Sequence, residues 1–380
     1  MYKLLLPMVT WLSAAGVFAK GADSLSLLFI GDLMQHQAQL DAARMPDGSY
    51  DYTDCFRWVS PEFAKADLVI GNLEVPLGGK PYTGYPAFSA PDSYLKSLRQ
   101  AGVDVLLTAN NHCLDRGKMG LERTICLLDS FRVPHVGTYR TRQERLDFYP
   151  LLVERKGFRV VFLNYTYGTN GLRPVTPNVV NYIDCDQMRR DILKARLMKP
   201  DVLIACMHWG VEYQSLPRSE ERALADWLLK MGVDHVIGAH PHVIQPVEVR
   251  EDSLSPTRHL VAYSLGNFVS NMSAPQTDGG MAVKLLLRRV EGKTRLVDCA
   301  YALVWTSRPV LSGKKNFQVY PAGMDENKMH MSEKQRMKAY LEGARKLLGK
   351  HGKGIREYFL NKKRRNVCRF KINVYLCNRF

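Results

Sequence analysis

Two histidines flank a proline in Val236-Ile237-Gly238-Ala239-His240-Pro241-His242, directly after a β-branched run and a glycine. Upstream, Phe29-Ile30-Gly31-Asp32 and Thr108-Ala109-Asn110-Asn111-His112-Cys113-Leu114-Asp115 follow the same plan, an apolar run that ends in polar side chains able to bind metal. Leu68-Val69-Ile70-Gly71 likewise delivers Asn72-Leu73-Glu74, and Val202 to Met207 delivers His208. The candidates are Asp32, Glu74, Asn111, His112, His208, His240 and His242. Taken singly, each reads as a turn former, a helix cap or a packed histidine. Together they mix imidazole, carboxylate and amide oxygen, a donor set that suits Zn, Mn or Fe and argues against a Ca²⁺ site. Two divalent ions need a shared bridging acid and several further ligands. One Asp, one Glu, one Asn and three His are enough for one ion or two. If His240-Pro241-His242 is extended, alternate residues point the same way and both imidazoles face one site.

The elements behind these residues must be strands that end together, because open α/β sheets bind ligands at their carboxyl edge. Strand patterns cover 25–30, 68–70, 103–107, 133–136, 158–163, 202–207 and 233–237. Helical spacing covers 121–131 and 187–198, a helix starts at Ser219 and runs to Lys230, and Asp92 is placed to cap another through Leu98. Gly78 to Pro91 is rich in Gly, Pro and Tyr and reads as a loop near the site. After residue 242 the rhythm changes: 243–249, 259–263, 281–290 and 294–305 are strand-like with no helix between them. Alternating strands and helices followed by consecutive strands predict a mixed sheet, or two packed sheets with helices outside.

At 380 residues the chain can hold one large domain or two ordinary ones. Its formal charge of +16 favours polyanionic partners. No RNA-binding signature, zinc-finger spacing or basic heptad run is present, so nucleic acid is not the expected partner. Residues 1–19 read as a secretory signal peptide: Lys3, an apolar stretch from Leu4 to Phe18, then Val17-Phe18-Ala19. That places the chain outside the cytoplasm, in the periplasm or cell envelope of a bacterium. Eight cysteines carry no CxxC grouping, and Cys126 and Cys206, in apolar runs, read as packed thiols. From about Leu311 the composition turns basic: 332–348 has the pattern of one amphipathic helix, and 362–365 is Lys-Lys-Arg-Arg. This tail reads as partly helical or disordered, or as an anchor for an anionic surface.

Rival chemistries lack their motifs. Ser264 precedes Leu265-Gly266, which is not a Gly-x-Ser-x-Gly elbow, and no phosphate loop for ATP exists.

Six blocks, in order, carry a resemblance: Gly31-Asp32-Leu33-Met34, Asn72-Leu73-Glu74, Ala109-Asn110-Asn111-His112 with Asp115 and Gly117, His208-Trp209-Gly210-Val211-Glu212-Tyr213, Gly238 to Pro246, and Tyr263-Ser264-Leu265-Gly266-Asn267-Phe268. They resemble the CapA family of bacterial capsule and poly-γ-glutamate synthesis proteins, built on the calcineurin-like metallophosphoesterase fold. The resemblance implies a four-layer α/β/β/α sandwich over 24–310, with 311–380 as a basic C-terminal extension. It implies metal ligands at Asp32, Glu74, Asn111, His208, His240 and His242, and His112, beside Asp115, as the acid at the substrate oxyanion or leaving group. Two departures stand out: Met34 occupies a position usually held by His, with His36 displaced from it, and Glu74 replaces the bridging Asp. The implied activity is metal-dependent hydrolysis of a phosphoester or γ-glutamyl amide bond in an anionic envelope polymer or its precursor. The alternative is a non-catalytic capsule-assembly protein that grips such a polymer, alongside membrane-associated synthesis machinery.

Overall fold

Ser24–Leu33 is buried along almost its whole length and must therefore be covered on both faces. Leu25, Leu27 and Phe29 join one core and Leu28 and Ile30 another, as the period of two requires. The computed structural model describes residues 23–251 and 257–358. In it this strand lies inside a sheet, parallel to Leu68–Leu73 and antiparallel to Gly279–Val290. The sheet order is 318–321, 293–307, 279–290, 24–33, 68–73, 105–107, 135–136. Asn267–Val269 pairs with the end of Ser24–Leu33, and Arg356–Glu357 pairs with Lys293–Ser307. A second sheet runs 247–251, 258–262, 235–239, 202–208, 158–166, 151–155, its inner strands parallel and its outermost pairs antiparallel.

The sheets meet face to face, with Phe29 and Phe162 edge-on at 6.4 Å between ring centroids. Asp92–Ala101 lays Tyr94, Leu95 and Leu98 on the outer face of the first sheet. Cys185–Leu197 and Ser219–Lys230 bury Met188, Ile192, Ala195, Ala225 and Leu228 in the core of the second. The result is the expected α/β/β/α order, with the late strands divided: 279–290 and 293–307 make the antiparallel flank of the first sheet, and 247–251 with 258–262 one edge of the second. Residues 311–358 continue this body. Gln318–Pro321 adds a strand to the first sheet, and the helix Met331–His351 buries Met337, Tyr340, Leu341, Ala344 and Leu348 in the same core as Leu303 and Trp305.

Several local expectations are corrected. Val247–Glu251 is a strand, but the chain from His240 to Pro246 turns instead of extending. Asp92 is the first residue of its helix, and Pro91 takes the cap position. Cys126 is exposed, because Leu121, Ile125 and Leu128 form the buried stripe of Gly117–Ser130 and Cys126 lies one residue off it. The signal-peptide stretch 1–19 and the basic run 362–365 lie outside the described residues.

Two glycines set how closely the chain can pass itself near the site. A Cβ on Gly31 would stand 1.9 Å from the Gly266 carbonyl oxygen, where Asn267–Val269 crosses in beside Ser24–Leu33. A Cβ on Gly238 would stand 1.9 Å from the Tyr263 oxygen and 2.6 Å from Trp209 Nε1. Neither position has room for a side chain.

Candidate metal centre

Register brings the first carboxylate into place. Ile30 pairs with Gly71, then the ladder shifts so that Asp32 pairs with Asn72 on one side and Asn267 on the other. Such irregularities re-aim side chains at the ends of strands. Asn72 Nδ2 then donates to Asp32 Oδ1 at 2.8 Å and to Glu74 Oε2 at 3.2 Å, and lies 3.3 Å from His208 Nδ1. Asn110 steadies this amide: its Nδ2 donates to the Leu73 carbonyl at 2.8 Å and lies 3.4 Å from Asn72 Oδ1. Sequence reading passed over Asn72 as a site residue. The signal was there, since asparagine is depleted in strands and this one closely follows the apolar run Leu68-Val69-Ile70.

The imidazoles come from the facing sheet. His208 ends Val202–His208, and His240 follows His235–Ala239 in the adjacent parallel strand. His208 Nε2 lies 2.9 Å from Asn111 Oδ1 and 3.5 Å from Glu74 Oε1. His242 Nδ1 lies 3.3 Å from Asp32 Oδ2 and 3.1 Å from Asn267 Oδ1, with Nε2 3.6 Å from Glu74 Oε1. The two histidines around Pro241 do share one site, but not by alternation in an extended segment. His240 has φ 101° and His242 φ 59°, both left-handed and costly for non-glycine residues. Strain of this kind concentrates where function holds it.

Two overlapping trios result, Asp32–Glu74–His208 and Glu74–His240–His242, each with its donor atoms within 4.8 Å of one another. Glu74 belongs to both, the position of a bridging acid. Asp32 Oδ2, Glu74 Oε1 and His240 Nδ1 are buried with no hydrogen-bond partner. Buried acceptors left unpaired are costly, and carboxylate and imidazole acceptors facing one point fit a divalent cation. Burial, then the charge of Asp32, pushes Glu74 well above the usual carboxylate range. Burial, then the neighbouring histidines, lowers His208 far below an ordinary imidazole, and the same two causes lower His240 to about 3. The pocket thus disfavours bare negative charge on Glu74 and keeps these two imidazoles neutral, the form that ligates metal.

His112 stands at the edge of the cluster. Its Nδ1 is 2.8 Å from Asp115 Oδ2, which also accepts from the Phe88 amide at 2.9 Å. The Phe88 ring stands edge-on to His112 at 4.7 Å. Phe88 comes from the 78–91 loop, so that loop does reach the site. Asp115 fixes Nδ1 as the protonated nitrogen and leaves Nε2 as the free one. His36 belongs to neither trio. Its Nδ1 faces Gln39 Oε1 at 3.2 Å and the Asn271 amide at 3.3 Å, and Met34 beside it is buried. Exposed tyrosines rim the cluster: Tyr167 lies 4.5 Å from His240 and Tyr213 6.5 Å from His242 between ring centroids. A larger cavity of about 590 Å³, between Arg142–Phe148 and Cys185–Leu197, contains none of the candidate residues.

Two relatives span most of the chain. "Capsule biosynthesis protein CapA" of Bacillus anthracis is 27% identical over 328 residues, 82% of this chain and 76% of that protein. "PGA biosynthesis protein CapA" of Bacillus subtilis (strain 168) is 25% identical over 280 residues, covering 70% and 69%. Among solved structures, the calcineurin-like phosphoesterase YfkN from Bacillus subtilis aligns at a TM-score of 0.45 and 14% identity, over 84% of this chain and 99% of that one. Residues 26–272 match the family described as "Bacterial capsule synthesis protein PGA_cap". That match takes in every residue of the two trios, and the chain belongs to this family of bacterial capsule synthesis proteins.

Proposed function

We propose that the protein is an exported, metal-dependent hydrolase that acts on a phosphoester or γ-glutamyl amide bond of an anionic envelope polymer or its precursor. The observation that carries this reading is the pair of buried trios meeting on Glu74, with three buried ligand atoms left unpaired. Asp32, Glu74, Asn111, His208, His240 and His242 would hold one or two ions of Mn, Zn or Fe. A bound ion supplies Lewis acidity toward an ester or amide oxygen and activates water near neutral pH. The chain's own residues do the rest. Asn72 holds both carboxylates in place, Asn267 orients His242, and Asp115 keeps His112 Nε2 directed away from itself to hold or give a proton at the leaving group. The names of the two relatives support a capsular polymer, and the charge of +16 suits an acidic one. The same charge favours a second reading, an assembly protein that binds the polymer without cutting it.

Elemental analysis of the full chain purified without chelator should find bound transition metal, lost in His240→Ala with His242→Ala. Hydrolysis of a phosphodiester or γ-glutamyl substrate should then fall about a hundredfold or more in His112→Ala while the metal remains, the usual contribution of a positioned acid. A metal-loaded protein that binds acidic polymer and cuts neither bond establishes the assembly reading instead.

A further inference from the structure

Arg308 follows directly on Lys293–Ser307, a strand that ends at the same sheet edge as Ser24–Leu33, two places away in the strand order. At one strand spacing per step the sideways separation from the strand of Asp32 is about 10 Å. Its side chain is buried, 8% exposed, and donates from Nη2 to the Met272 carbonyl. Among the described residues no carboxylate is in salt-bridge contact with it, and the charges that act on it are those of Asp278 and Arg336. Met272 is itself tied to the metal centre: its sulfur accepts from Asn267 Nδ2 at 3.4 Å, and Asn267 Oδ1 faces His242.

Arg308 lines a cavity of about 210 Å³ with Arg336, Ser273, Gln276, Asp278 and Tyr340. Arg336 is exposed on the helix Met331–His351, so the cavity opens to solvent there. Asp278 is the acid in this wall, and its Oδ2 already accepts from Trp305 Nε1 at 3.0 Å. Two guanidinium groups thus border a hollow with a single carboxylate, one oxygen of which is already engaged. Burying an arginine without an ionic partner is expensive, and the planar fork of its donors matches a carboxylate. Burial lowers the proton affinity of Arg308; the charge of Asp278 offsets part of this and that of Arg336 adds to it, and the net direction is down.

We propose that Arg308 and Arg336 form a carboxylate-binding subsite beside the metal centre, which holds an acidic side group of the chain whose neighbouring unit lies at the histidines. This rests on the reading that the substrate is an anionic polymer. It assigns the recognition of that polymer to a part of the protein that holds no candidate ligand.

The test is calorimetric titration of the full-length protein with a short γ-linked glutamate peptide and, separately, with inorganic phosphate. Metal content is measured on the same samples. The peptide should bind, and Arg308→Gln and Arg336→Gln should each weaken it about 10- to 100-fold, the usual loss of a charged hydrogen bond. Arg336 is on an exposed helix face, so its variant remains informative if Arg308→Gln fails to fold. Peptide affinity unchanged in both variants, or no peptide binding by the parent, overturns the subsite whatever the metal content. Arginine-dependent binding of phosphate without binding of peptide overturns the carboxylate assignment. Arginine-dependent peptide binding by a chain that carries no metal upholds the subsite and removes the hydrolase reading.

Discussion

Asn72 is the residue on which the geometry of the candidate site turns. One amide spans both carboxylates and a histidine, and replacing it leaves Asp32 and Glu74 side by side without their shared donor. Partners that orient ligands typically contribute 10- to 100-fold in metal affinity. Asn72→Ala should therefore weaken metal binding by about that factor, as read by competition with a chromophoric chelator, and leave the secondary structure intact. Unchanged affinity would show that the carboxylates hold their places without it. The candidate ligands themselves were legible because each ends an apolar run, so the residue types and the strand pattern pointed to one edge. The positive φ of His240 and His242 was not legible. Nothing in His-Pro-His favours a left-handed backbone, and the surrounding fold imposes it. The partnership of Phe88 with Asp115 was equally hidden, because it joins residues 27 positions apart in the chain through the way a loop closes.

At the scale of elements, periodicity located most strands and helices. Ser219–Lys230 was readable to the residue from its two glutamates and the following glycine. What failed was continuity: the apolar run 243–249 is buried, but its first half packs as a turn around the site. The strand His235–Ala239 carries a further consequence. His235 is fully covered, its Nδ1 accepts the Leu260 amide at 3.0 Å, and burial lowers it to about 3. The unfolded chain takes up a proton at this histidine near pH 6.5 while the folded chain does not. Stability is therefore fully present above pH 6.5 and declines as the pH falls from there toward 3. The contribution is up to about 1.4 kcal/mol per pH unit. His235→Asn keeps an acceptor for Leu260 and removes the titration. Urea unfolding at pH 6 and pH 5 should show the parent losing more stability between the two values than the variant. Equal losses would mean that His235 is protonated in the fold.

For the whole molecule, the basic composition after residue 311 suggested an appendage, yet the described part is built into the body. Tyr320 packs against Trp305 at 6.2 Å, and Tyr340 is buried beneath the strand Lys293–Ser307. Composition could not show this, because the buried residues of Met331–His351 are spaced among lysines and arginines that face solvent. A chain ending at residue 310 should lose cooperative urea unfolding and the near-ultraviolet signal of Trp305. Removing one buried aromatic alone costs about 3–5 kcal/mol, and the truncation uncovers several. A truncated protein that unfolds in one sharp transition would establish 311–358 as dispensable.

The position of Ser24–Leu33 also bears on the order in which the protein can come into being. It is the earliest described strand, yet its neighbour Gly279–Val290 is made some 250 residues later, at a chain separation that slows pairing. Until then one edge of the strand carrying Asp32 is bare, and an unpaired edge invites wrong partners. The histidines of the facing sheet are also late, so the donor set of one trio is complete only once residue 208 has been made and that of the other only at residue 242. A cation held by the full set must arrive after synthesis has passed residue 242. Selectivity among such ions rests on geometry, ligand type and availability, and the compartment in which folding finishes sets the last of these.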